Sequence, residues 1–134
     1  MNIKEEMEAL KKDFGLSIPN EYQSFIEKTD MFDYSDAVLN VCGEEIDMGI
    51  FLKVDEDEIS RDLLHWYALS RDGREEYLTI ATGLMGGEIA LKVKGDDLGK
   101  VYFMDKNEKG YSISKLFDTF KQMKKYLEDS KNEN

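Results

Sequence analysis

The sequence predicts an α+β domain: a mainly antiparallel sheet flanked by two N-terminal helices and one C-terminal helix. Three observations predict it. Apolar residues recur at helical spacing near the start, β-like runs broken by glycine turns fill the middle, and helical spacing returns at the end. Helices, then strands, then a helix is the pattern of elements packed around one sheet. A chain of 134 residues, 41% of them hydrophobic, can bury one core and is too short for two ordinary ones. A single domain over residues 1–129 is expected, followed by a frayed polar tail at 130–134.

Ile3, Met7, Leu10 and Phe14 follow one another at steps of four, three and four, which makes one face of an amphipathic helix, and Gly15 ends it. Pro19 falls at a first-turn position, where a missing N–H costs no intrahelical bond, and Tyr22, Phe25 and Ile26 carry a second helix to about Thr29. Residues 37–41 and 46–54 read as a hairpin around Gly43-Glu44-Glu45. Residues 55–70 begin with acids and continue with Ile59, Leu63, Leu64, Trp66 and Tyr67, the pattern of a short helix whose first turn complements its dipole. Three strands follow at 77–84, 88–94 and 100–105, linked by glycine turns into an antiparallel meander. Ile113, Leu116, Phe117, Phe120, Met123 and Leu127 mark the last helix, with Ser112 or Ser114 as its cap.

Charge is unevenly spread. The net charge is −11, and residues 1–67 hold 17 acids against 6 bases while the remainder holds 12 of each. The whole excess therefore lies in the first half. Between residues 30 and 62, eleven acids are offset only by Lys53 and Arg61, which makes a patch rather than a uniform surface. Such a balance disfavours nucleic acid and anionic membranes and favours a basic protein partner.

Little in the sequence carries chemistry. The one histidine, His65, has no cysteine beside it and no nucleophile-elbow sequence to serve, so it reads as structural. A calcium loop beginning at Asp55 needs glycine where Ser60 stands and glutamate where Trp66 stands. Asp96 and Asp97 lie in a glycine-bounded turn that they serve to solvate, and Gly83, Gly86 and Gly87 are not followed by the Gly-Lys-Ser/Thr of a phosphate loop. Cys42 reads as a buried inert thiol; as the one cysteine it has no internal disulfide partner, which suits a reducing compartment. No enzyme, cofactor or metal site is expected. The N-terminus lacks the apolar run of a secretory signal, so a cytoplasmic location is expected.

Several stretches in order resemble one family. Ile18-Pro19-Asn20-Glu21-Tyr22-Gln23-Ser24-Phe25-Ile26 is similar to its proline, tyrosine and phenylalanine-aliphatic helix, and residues 80–91 to its central hairpin with a glycine pair before a strand. Gly99-Lys100-Val101-Tyr102-Phe103-Met104-Asp105 resembles the next strand, and residues 113–120 resemble the final helix. The family is the SUKH superfamily, in the branch related to the fungal cell-wall-synthesis regulator and to many bacterial immunity proteins. The resemblance implies a noncatalytic domain that blocks a polymorphic or contact-dependent toxin, in many cases a nuclease. Its alternative is a regulatory or scaffold domain unrelated to toxins.

The charge pattern and this resemblance point the same way, because a nuclease needs a basic surface that an acidic patch can occupy. The residues expected to bind the partner are Asp55, Glu56, Asp57, Glu58 and Asp62, extended by Glu44, Glu45 and Asp47, with Trp66 as an aromatic anchor among carboxylates.

Overall fold

The computed structural model describes residues 3–28, 38–41, 44–51, 76–83, 87–107 and 110–132. Among these, helix α1 (Ile3–Asp13) and helix α2 (Asn20–Lys28) precede six strands, β1 (Val38–Val41), β2 (Glu44–Phe51), β3 (Tyr77–Gly83), β4 (Glu88–Lys92), β5 (Val101–Asn107) and β6 (Gly110–Phe117), and helix α3 (Phe120–Asn132) closes the chain. The strands form one antiparallel sheet whose spatial order is their order in sequence. The α+β class is therefore as the sequence predicts.

The helical spacing of the N-terminal segment is realised as burial. Met7 and Leu10 of α1 and Tyr22, Phe25 and Ile26 of α2 enter one core with Leu16 and Ile18 of the loop between them, and Phe14 packs half-buried against it. Gly15, at φ +69°, takes the left-handed conformation that ends α1. The loop is then stitched to the sheet, since the Ser17 N–H donates to the Val93 carbonyl at 2.8 Å. Pro19 lies just ahead of α2 rather than inside it, and its carbonyl accepts from the Gln23 N–H at 3.1 Å.

Across the sheet, Leu78, Leu91 and Val101 stand in register and line the face beneath the helices. The neighbouring row is Thr79, Ala90, Tyr102 and Lys115, of which Thr79 and Ala90 are buried as well. Burial on both faces is why these strands read as continuous apolar runs instead of alternating ones. Register shifts between Thr79 and Ala81 and between Val101 and Tyr102 add local bends.

Two expectations need correction. Residues 113–117 are not the start of the last helix, nor do residues 113–120 as a whole form the family's final helix; Gly110–Phe117 is a strand paired with β5 along its length. The shift at Val101 and Tyr102 leaves Leu116 as an extra residue, so that Leu116 is buried and its neighbour Phe117 packs partly against the same core. Two adjacent inward residues after Ile113 imitate helical spacing. The cap is accordingly Thr119 rather than Ser112 or Ser114: its Oγ1 accepts from the Gln122 N–H at 3.2 Å, while the Gln122 side chain accepts from the Asp118 N–H at 3.0 Å. The second correction concerns the first hairpin, where Glu44 and Glu45 belong to β2 and pair with Val41 and Asn40 instead of forming the turn. The expected three-strand meander gains β6 as a fourth hairpin-linked strand, within a sheet of six strands among the described residues. The helix expected at 55–70 lies outside the described residues.

Phe120 ties α3 to α2. Its ring meets Tyr22 at 5.1 Å with planes 89° apart and Phe25 at 5.2 Å and 69°, both edge-to-face. Phe120 is 2% exposed. Phe120→Ala is expected to lower stability by about 3–5 kcal/mol and Thr119→Ala by about 1 kcal/mol, both read from urea unfolding of the purified protein.

Candidate functional site

Three of the nine residues expected at a partner surface fall on described strand. Glu44, Glu45 and Asp47 stand on β2 opposite Val41, Asn40 and Val38, which places them on the outer hairpin of the sheet. Val38, the register partner of Asp47, is 40% exposed. Asp55, Glu56, Asp57, Glu58, Asp62 and Trp66 lie outside the described residues, and so do Cys42 and His65.

A second feature was not expected from the sequence. The α1–α2 loop, the β4–β5 loop and the first turn of α3 enclose a cleft of about 580 Å³. Leu16, Ile18 and Phe120 supply its apolar wall, Pro19 and Leu98 its lip, and Lys11, Glu21 and Lys121 its charges. Its three segments are separated by roughly eighty and twenty residues of chain, so no local motif announces it. The one sequence signal was Leu98, an isolated leucine in the polar turn Gly95-Asp96-Asp97-Leu98-Gly99.

A polar cluster occupies the row of the sheet turned away from the helices. Lys92 Nζ lies 2.7 Å from Glu76 Oε1 and 4.6 Å from the centre of the Tyr77 ring, and Tyr77 in turn meets Tyr102 edge-on at 5.5 Å. Loss of water around the Lys92 ammonium opposes its charge, but the hydrogen bond from Lys92 to Glu76 and the attraction of Tyr77 and Glu76 outweigh that loss. Its pKa is held above the ordinary lysine value. Nearby, Lys115 donates to Asp118 at 2.8 Å; that bond raises the lysine and lowers the carboxyl. Lys92, Glu76 and the two tyrosines link the start of β3 to β4 and β5, while the Lys115–Asp118 pair is a local contact at the end of β6.

Among the described residues no group of three or more His, Cys, Asp and Glu side chains is placed to hold a metal ion, and no helix is long and apolar enough to cross a membrane.

The model of the SMI1 / KNR4 family (SUKH-1) matches residues 4–125, which runs from α1 into α3. The chain belongs to the SUKH-1 family. That family includes immunity proteins, and the match takes in the outer hairpin, the cleft and the whole sheet within one SUKH-1 domain. Comparison with curated proteins and with solved structures found no match.

Within this SUKH-1 domain the Lys92–Glu76 pair gives a pH signature. A lysine raised by folding adds stability that is complete below its unfolded pKa of about 10.5 and is lost as pH climbs through the folded value. Glu76 is 48% exposed, so the contribution stays in the range of surface pairs. Glu76→Gln is expected to cost about 0.5–1 kcal/mol at neutral pH, and the gap to the parent should close as unfolding is measured at alkaline pH past the lysine range.

Proposed function

We propose that this SUKH-1 domain is an immunity protein that binds a cognate polymorphic or contact-dependent toxin domain and neutralises it by stoichiometric occlusion. What carries the reading is the coincidence of membership in a family that includes immunity proteins with a net charge of −11 lying entirely in residues 1–67. The toxin is of the nuclease type, since a nuclease presents a basic phosphate-binding surface that an acidic one can cover. Contact is made through Glu44, Glu45 and Asp47 on the outer hairpin together with Asp55, Glu56, Asp57, Glu58, Asp62 and Trp66.

Occlusion of this kind needs neither turnover nor cofactor, and it takes place in the cytoplasm, where an incoming toxin would act. An acidic patch also accelerates capture, because electrostatic steering raises association rates by roughly 10- to 1,000-fold and fades with salt.

The test is capture of the toxin domain encoded beside this protein's gene by the tagged chain at low and high salt, with toxin activity assayed in the bound fraction. Tight capture with activity abolished is expected. Reversing Asp57, Glu58 and Asp62 together to lysine should weaken binding at least tenfold and flatten its salt dependence. Failure of capture at both salts overturns the reading in favour of a regulatory binding domain, and unchanged affinity and salt dependence in the triple variant remove the acidic patch from the interface.

A further inference from the structure

The cleft between the α1–α2 loop, the β4–β5 loop and α3 differs in character from the acidic hairpin. Its volume, about 580 Å³, lies within the range of preformed ligand sites, roughly 300–1,000 Å³. Its walls are fixed by main-chain hydrogen bonds. Ser17 N–H donates to Val93 O at 2.8 Å on one side; on the other, Gly99 N–H donates to Lys92 O and Lys92 N–H to Lys100 O, both at 2.9 Å.

That second wall presents Leu98, which is 50% exposed between Asp97 at φ +60° and Gly99 at φ +87°. A leucine held in water on a braced turn, beside buried Leu16, Ile18 and Phe120, gains from any apolar group that covers it.

The charges at the mouth decide which group. Lys121 forms no ion pair among the described residues, and Lys11 donates to the neutral Gln23 Oε1 at 2.8 Å, so neither ammonium is neutralised by a carboxylate there; Glu21 is the one acid in the lining. Lys121 also stands in the first turn of α3, which holds no acid, where a cation opposes the helix dipole. The bias extends beyond the cleft: residues 100–125 carry seven lysines against three acids in a chain whose net charge is −11.

We propose that this cleft receives a bulky apolar side chain from an extended, acidic segment of a protein partner, the side chain lying against Leu98 and Phe120 and the flanking carboxylates meeting Lys11 and Lys121. It is a contact separate from the acidic hairpin and of opposite charge preference, so a basic toxin surface would not fill it. Pro19 and Leu98 at the lip would cover the partner's backbone on either side of the inserted residue.

The test uses the full chain, immobilised, and a phage-displayed library of random linear peptides. Enriched peptides are expected to share a large apolar residue flanked by Asp or Glu. A fluorescently labelled synthetic copy of the most enriched peptide should bind saturably, and Leu98→Asp and Lys121→Glu should each weaken it tenfold or more. Both substitutions are at exposed positions, and circular dichroism with thermal melting verifies that each variant folds. Asp57→Lys should leave the peptide affinity unchanged, which keeps this result apart from the fate of the acidic-patch reading. Absence of enrichment over an uncoated surface, enrichment of basic peptides, or binding indifferent to both cleft variants would each overturn the proposal.

Discussion

Most of the architecture depends on one aromatic contact, the insertion of the Phe120 ring between Tyr22 and Phe25. The pair β1–β2 and the run from β3 to β6 are hairpins with two to eight residues between strands, each of which can form locally, but nothing in them brings the chain's two ends together. Phe120 does so. As the first residue of α3 it fixes where that helix starts, and by packing edge-on against two rings of α2 it fixes where the helix lies. Met123 and Leu127, one and two turns further along, then fall into the same core as Met7 and Leu10 of α1. Phe120 also lines the cleft, so the contact that closes the fold is at the same time a wall of that cleft.

The parts that were legible in the sequence are those whose packing follows a simple period. α1 and α2 each bury one stripe, which four-and-three spacing reveals directly. β3, β4 and β5 are apolar runs closed by glycine or acidic turns, and a run buried on both faces is hard to mistake once its length is short. β6 was misread because a bulge is invisible to periodicity: at Leu116 the strand holds one residue more than its partner, and inward side chains that should alternate become neighbours. Local chemistry at the cap was then misplaced with it, although Thr119-Phe120-Lys121-Gln122 carries the capping-box spacing plainly enough.

For the functional surfaces the division is different. Composition located the acidic half of the chain without any geometry, since charge adds up along a sequence whatever the fold. It could not show that Glu44 and Glu45 lie on strand and not in a turn, which depends on the pairing of Val41 and Asn40. The cleft was beyond reach for a further reason: residues near 16, 98 and 120 meet only because α3 docks on α2 and the Leu16–Pro19 loop is bonded to Val93. Along the sequence the charge is segregated, strongly acidic over residues 1–67 and locally basic from 100 to 125.

The strand order carries a consequence for how such a domain changes over generations. Every strand is hydrogen-bonded to its neighbours in sequence, and β1–β2, β3–β4, β4–β5 and β5–β6 are short returns of two, four, eight and two residues, whereas residues 52–76 separate β2 from β3. An insertion at any of these returns lengthens a loop and leaves the pairing of the remaining strands intact, at an entropic cost that grows only slowly with length. Lineages can therefore remodel one rim of the sheet while inheriting the rest unaltered. On the proposed immunity reading, that separability would let one rim follow a changing partner while the core stays the same.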